Sequence, residues 1–313
     1  MTKRVVVPEF YLQPGLMTDF RGQSEHVAAL PMHLRSLCGA LQGWLLHVFW
    51  LEAHGYAREP RQIHDRNVRD VETMVRLLVE RDSSQLNVPR QNPNRIVTDC
   101  RGYSVMLTAL LIRAGIPARS RCGFAKYFWS PEEHRWEDHW VTEYWNKDSE
   151  EWCLADAQLD ETQKQHLRIG FDPLDVPRDQ FLPATRAWQL CRLGEIDAST
   201  FSYENFSGLA LIRWNLIRDA AALNKVEALG WDHWGGMFPL DDMTIAEEDV
   251  SLYDHVSTLA SENEGLEELC DLYLRDLRLR VPRVVRLMEA ETEAHRLSYS
   301  DILDGRNERI SLL

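Results

Sequence analysis

The sequence predicts an α+β fold, in which a helix bearing a cysteine packs on a small antiparallel sheet and helical regions flank this core on both sides. Three observations carry that expectation. Apolar residues recur at helical spacing up to about Arg95, short aromatic and β-branched runs follow between Ala118 and Ala157, and helical spacing returns from about Thr200. The chain therefore divides into a mainly helical region at 1–95, a core at 96–183 and a second helical region at 184–313.

Taken in order, Pro31 to Gly55 carries apolar residues on most turns, and Val71, Met74, Val75, Leu78 and Val79 mark one face of a helix over Val68 to Glu80. Asn87 to Asn94 is rich in Pro and Asn and reads as a linker. The apolar run Val105 to Ile112 ends at Gly115-Ile116-Pro117, a helix stop signal. Ala118–Phe128, Asp138–Trp145 and Trp152–Ala157 are then expected as three strands of an antiparallel meander. In the last region Thr244-Ile245-Ala246-Glu247 and Ser261-Glu262-Asn263-Glu264 fit capping boxes, and Arg275 to Arg286 reads as an amphipathic helix.

Composition limits the functional classes. The 313 residues are 44% hydrophobic and 27% charged, an ordinary globular balance. With 35 Lys and Arg against 49 Asp and Glu, the formal charge is −14, which disfavours nucleic acid and anionic membrane as partners. The apolar stretch Trp44 to Leu51 is too short to span a bilayer, and the N-terminus does not read as a secretory signal. A cytoplasmic protein with free thiols is expected. Six cysteines in so long a chain, with no CxxC or HExxH, imply neither a disulfide scaffold nor a metal site, and no cofactor is expected.

Chemistry concentrates in three residues. Asp99 is a suitable N-cap, which sets Cys100 in the first turn of a helix, where unpaired N–H groups and the positive end of the dipole should lower the thiol pKa. His139 opens a strand and shares a face with Val141, Glu143 and Trp145. Asp156 ends an apolar strand and needs a partner, which the neighbouring strand offers in His139. The order Cys, His, Asp, at separations of 39 and 17 residues, suits a nucleophile, a base and an orienting acid.

These segments resemble the transglutaminase-like superfamily: Asp99-Cys100-Arg101-Gly102-Tyr103-Ser104, Leu110 to Arg119, Arg121-Cys122-Gly123-Phe124, Asp138 to Trp145 and Trp152 to Gln158. Pro14 to Asp19 and Gln42 to His47 resemble the leading region of bacterial members. The resemblance implies a papain-like core with Cys100 as nucleophile, His139 as base and Asp156 as orienter. It also implies attack of a thiolate on an amide, ester or thioester carbonyl, followed by release to water or to an amine. Arg101 stands where the crosslinking transglutaminases have Trp, and the superfamily also holds peptidases, amidases and peptide N-glycanases. The expected partners are a small-molecule or peptide-like acyl donor, free or carrier-bound, and an amine acceptor. A non-catalytic scaffold, or a cyclase or isomerase using the same thiolate, are the alternatives.

Trp136 and Trp140 flank His139 and are candidate walls of a substrate site, as are Gln158 beyond Asp156 and Trp231 and Trp234 in the loop Trp231 to Pro239, which would suit a lid. Cys122 and Cys153 read as core residues of inner strands, and Cys38, Cys191 and Cys270 as structural.

Overall fold

The computed structural model describes residues 9–57, 61–238, 245–261, 265–287 and 296–298. Thr244 of the first capping box, Glu262 to Glu264 of the second and Pro239 at the end of the Trp231 loop lie outside the described residues. The order of regular elements is α1 (Leu34–Trp44), β1 (Leu45–His47), α2 (Arg61–Arg66), α3 (Val71–Arg81), β2 (Ile96–Thr98), α4 (Cys100–Arg113), β3 (Ala118–Ala125), β4 (Trp136–Asn146) and β5 (Glu151–Ala155). There follow α5 (Glu161–Leu167), β6 (Phe181–Pro183), α6 (Ala184–Arg192), β7 (Phe201–Tyr203), β8 (Phe206–Ser207), α7 (Gly208–Leu223) and β9 (Asp232–His233). The last elements are α8 (Glu247–Ser261), α9 (Leu266–Arg275), β10 (Val284–Leu287) and β11 (Arg296–Ser298).

The expected meander is present: β4 pairs antiparallel with β3 on one side and with β5 on the other. The sheet is larger and mixed, however. Its order is β6-β3-β4-β7-β8, with β5 also on β4, and β7 runs parallel to β4 through Trp136↔Phe201. These added strands are only two or three residues long, too short for a period-2 pattern to register. The sheet therefore continues past residue 183.

Helix α4 is the central helix, and 11 of its 14 residues are buried, which explains its weak amphipathicity. Ser104 Oγ donates to Val141 O (2.7 Å), Thr142 Oγ1 donates to Ser104 O (3.0 Å), and Thr108 and Ser120 share a hydroxyl contact at 3.1 Å. These bonds seat α4 on β3 and β4. Gly115, at φ +76°, ends it through a left-handed turn. Gly102 serves a different need: a Cβ there would stand 2.0 Å from Thr98 Oγ1. The first turn of α4 can approach β2 only because that atom is missing.

Other expectations are corrected. The helix in Pro31 to Gly55 ends at Trp44, because Leu45–His47 turns extended and pairs parallel with Ile96–Thr98. The first strand stops at Ala125 rather than Phe128, where Lys126 N donates to Gln180 O and Trp129 N turns back to Lys126 O. No helix spans Arg275 to Arg286: α9 ends at Arg275, Asp276 draws the Arg278 backbone N–H and guanidinium to itself, and Val284–Leu287 pairs as β10. Cys153 lies on β5, which among the described residues pairs only with β4, and is half-buried; Cys122 is fully buried as expected. Among the described residues no helix is long and apolar enough to cross a membrane.

Candidate active site

The N-terminus of α4 meets β4 where β4 has no strand on its outer edge, between its pairing with β7 at Trp136–Glu137 and with β5 from Thr142 onward. Asp99 caps the helix as expected, its carboxylate accepting from Gly102 N at 3.2 Å. Cys100 is therefore the first helical residue and packs against Cys122, Trp140 and Ala222. The backbone N–H of Trp140 donates toward the Cys100 sulfur, which places that sulfur against the peptide joining His139 to Trp140.

His139 is 2% exposed, and its Nε2 stands 2.8 Å from Asp156 Oδ2. The same oxygen accepts the Tyr127 hydroxyl at 2.6 Å, and Asp156 Oδ1 accepts Gln158 N at 3.0 Å. A carboxylate in that position accepts a hydrogen bond from Nε2–H, which leaves Nδ1 as the basic nitrogen. Tyr127, Phe128 and Phe181 pack edge-on around the imidazole and fix its plane. Opposite His139 in the register is Gly123, where a Cβ would stand 2.1 Å from Leu182 O, so a side chain there would push β6 and Phe181 away.

Cys100 departs from expectation in one respect. Burial pushes its thiol well above the ordinary range, and the carboxylates of Asp99 and Asp138 push it further, against the opposing Trp140 N–H. Desolvation and two nearby negative charges outweigh the helix N-terminus. The resting site therefore favours the neutral thiol.

Cys100 and His139 both line a cleft of about 1280 Å3. Trp140, Gln158 and Trp231 also line it. Trp136 and Trp234 do not: Trp136 stacks on Phe201 in the main core, and Trp234 is 2% exposed with its indole N–H on Leu279 O at 2.9 Å. Trp231 is held at the cleft by Asn67 Oδ1 (3.0 Å) and by the Arg66 guanidinium over its ring. Gln158 is 2% exposed; its Nε2 donates to Gln163 Oε1, and among the described residues its Oε1 has no hydrogen-bond partner. Asp160 caps α5 by accepting from Gln163 N at 2.9 Å.

Helix α7 supplies one side of the site. Asn215 Nδ2 donates to Asp138 Oδ1 at 2.8 Å, and Arg218 donates from Nη1 to Asn215 Oδ1 at 3.0 Å. Burial raises the Asp138 carboxyl in spite of both neighbours. Burial and the Asp138 charge likewise push Glu137 up to about 7, although the Trp129 indole donates to it at 3.0 Å. Among the described residues no group of three or more His, Cys, Asp and Glu side chains is arranged to hold a metal ion.

Sequence reasoning missed Tyr127, which lay inside a run read as strand, and His47, which lay inside a run read as helix. It also missed the α7 residues Asn215 and Arg218, because nothing local in a helical pattern says which turn will face a distant strand.

A cysteine at the start of a buried helix, beside a strand histidine bonded to an acid on the neighbouring strand, is an arrangement suited to thiol chemistry at a carbonyl. Residues 56–157, about a third of the chain, match the model of the transglutaminase-like superfamily, a group typically associated with cysteine-based acyl transfer or hydrolysis. The match contains Cys100, His139 and Asp156 and ends at Ala157. No curated protein and no solved structure matches the chain.

Proposed function

We propose that this protein is a cysteine-dependent acyl-transfer enzyme. Cys100 is the nucleophile, His139 the general base and then acid, and Asp156 the group that holds His139 in place. The observation that carries the reading is the setting of one histidine: Asp156 bonds its Nε2 at 2.8 Å, and its ring lines the same cleft as Cys100, whose sulfur faces the backbone N–H of the next residue, Trp140.

In this mechanism the Cys100 proton moves to His139 Nδ1 as the sulfur attacks the carbonyl carbon. The bond to the amine, alcohol or thiol leaving group then breaks, and His139 returns the proton to that group. The resulting thioester on Cys100 is attacked by water or by an amine, His139 takes the incoming proton, and the thiol re-forms with release of acid or amide. A neutral resting thiol fits this sequence, since deprotonation then accompanies attack. The Trp140 N–H, set on the sulfur, steadies the developing negative charge.

The test uses p-nitrophenyl acetate as an activated acyl donor. Wild-type protein is expected to release a burst of p-nitrophenolate and to gain one acetyl mass on the Cys100 peptide, while Cys100→Ala shows neither. Equal behaviour of the two proteins would reject the reading.

A further inference from the structure

The acyl-transfer reading requires a donor for the carbonyl oxygen as it becomes negative, and the cleft that Cys100 lines holds an unassigned, largely buried histidine. His47 is the last residue of β1 and is paired in register with Thr98, two residues before Cys100. It is 6% exposed and lines the same cleft as Cys100 and His139. Its Nδ1 accepts the Phe49 backbone N–H at 3.3 Å. An amide N–H needs a lone pair, so Nδ1 carries no proton and the proton of the neutral ring sits on Nε2. That Nε2–H has no hydrogen-bond partner among the described residues. The ring is largely buried, yet this N–H is not sealed from the cleft, so it is free to donate to a group bound there.

We infer that His47 donates from Nε2 to the acyl oxygen and, with the Cys100 backbone N–H, forms the oxyanion site of this enzyme. This rests on the acyl-transfer reading. Throughout the reaction His47 neither gains nor loses a proton. The C–S bond forms, the bond to the leaving group breaks, the thiol proton passes through His139, and His47 only follows the oxygen as its charge grows. Its environment keeps it in this role: burial, then the charges of His139 and Arg66, hold its pKa down to about 3, so the ring is neutral across the physiological range. A neutral donor serves better than a cation here, because an imidazolium would lose its proton to the oxyanion.

The experiment compares two reactions of Cys100 in the full chain. Acetylation by p-nitrophenyl acetate passes through an oxyanion, whereas alkylation by iodoacetamide is a displacement at carbon that forms none. His47→Leu is expected to slow acetylation on the order of a hundredfold at unchanged KM. Alkylation should stay within about threefold of wild type, and His47→Gln, which keeps an N–H, should recover a tenfold part of the loss. Acetylation of His47→Leu at the wild-type rate, or a parallel fall in alkylation, overturns the donor role while leaving the acyl-transfer reading intact. Absence of a Cys100-dependent burst in wild type defeats both. Should the Leu variant not fold, nitrogen NMR of 15N-histidine wild-type protein decides: a proton on Nε2 of His47 supports the assignment, and one on Nδ1 overturns it.

Discussion

Tyr127 and His139 meet on one oxygen atom: the Tyr127 hydroxyl and the His139 Nε2 both lie on Asp156 Oδ2, at 2.6 and 2.8 Å. The tyrosine is thus the outer link of a chain that runs through the acid to the imidazole. Burial, then Asp156, push its phenol well above the ordinary range, so it remains a donor at any working pH.

Removing that donor should change the basicity of His139. In Tyr127→Phe, Asp156 keeps its negative charge with one hydrogen bond fewer, attracts the Nε2 proton more strongly and makes Nδ1 more basic. The acid limb of the acyl-transfer profile is expected to move to higher pH, with kcat reduced about three- to tenfold and stability lowered by about 1–2 kcal/mol. A pH–rate profile superimposable on wild type would show that Tyr127 is packing alone.

Asp156→Asn tests the acid itself. Oδ1 and Oδ2 of Asp156 accept three donors: Gln158 N, Tyr127 O–H and His139 Nε2. An amide can accept on one side only, so either orientation of Asn sets an NH2 against a donor. The expected loss in kcat is on the order of a thousandfold. Burst kinetics with p-nitrophenyl acetate measure it, and a loss below about tenfold would remove Asp156 from the mechanism.

Cys100 offers a prediction with a clear sign. Because burial and the Asp99 and Asp138 carboxylates favour the protonated thiol, the thiolate accumulates only above the usual thiol range. Alkylation of the free protein by iodoacetamide, followed by peptide mass, should be slow at neutral pH and still be rising past pH ~9. Asp138→Asn removes one of the opposing charges and should shift that rise toward lower pH. A plateau reached near pH ~7 would contradict the electrostatics described here.

Glu143 carries a structural prediction. Its Oε2 accepts Arg119 Nε (2.7 Å) and Arg121 Nη1 (2.8 Å), and its Oε1 meets Arg178 Nη1 at 2.7 Å. Burial alone would raise this carboxyl, but the three guanidinium groups hold it well below the usual range. A depressed carboxylate stabilises the fold above its ordinary pKa and loses that contribution as the pH falls through its folded value. Glu143→Gln should cost about 3–5 kcal/mol near pH 7, since Arg121 is left buried against Asp219 alone. The cost should shrink in acid, and guanidinium unfolding between pH ~7 and ~3 reads both effects.

Much of this site was readable from the residues in order. Asp99 before an apolar helix, the Gly115 stop and the two hairpin strands are local signals, and they are enough to bring Cys100, His139 and Asp156 into one neighbourhood. What stayed hidden depends on partners far along the chain. The three-residue strand ending in His47 exists because Ile96–Thr98 lies beside it, and β7 forms because Trp136 stacks on Phe201. The acidity of Cys100 was misjudged for a related reason: a helix start is visible in sequence, but burial and the approach of Asp138 are properties of the folded site. Trp136 and Trp234 show the same limit, since proximity to a functional residue in the chain does not tell which side of a strand or loop an indole will take.

Helix α7 lies wholly beyond the segment that carries the family signature, yet Asp219 is paired with Arg121, and Asn215 holds Asp138 beside Cys100. His47 lies just before that segment. A fragment trimmed to residues 56–157 would keep Cys100, His139 and Asp156 while stranding a buried guanidinium and dismantling two walls around them. The evolutionary signature and the smallest autonomous folding unit thus have different borders in this chain, and dissection by homology would isolate the chemistry from the scaffold on which it depends.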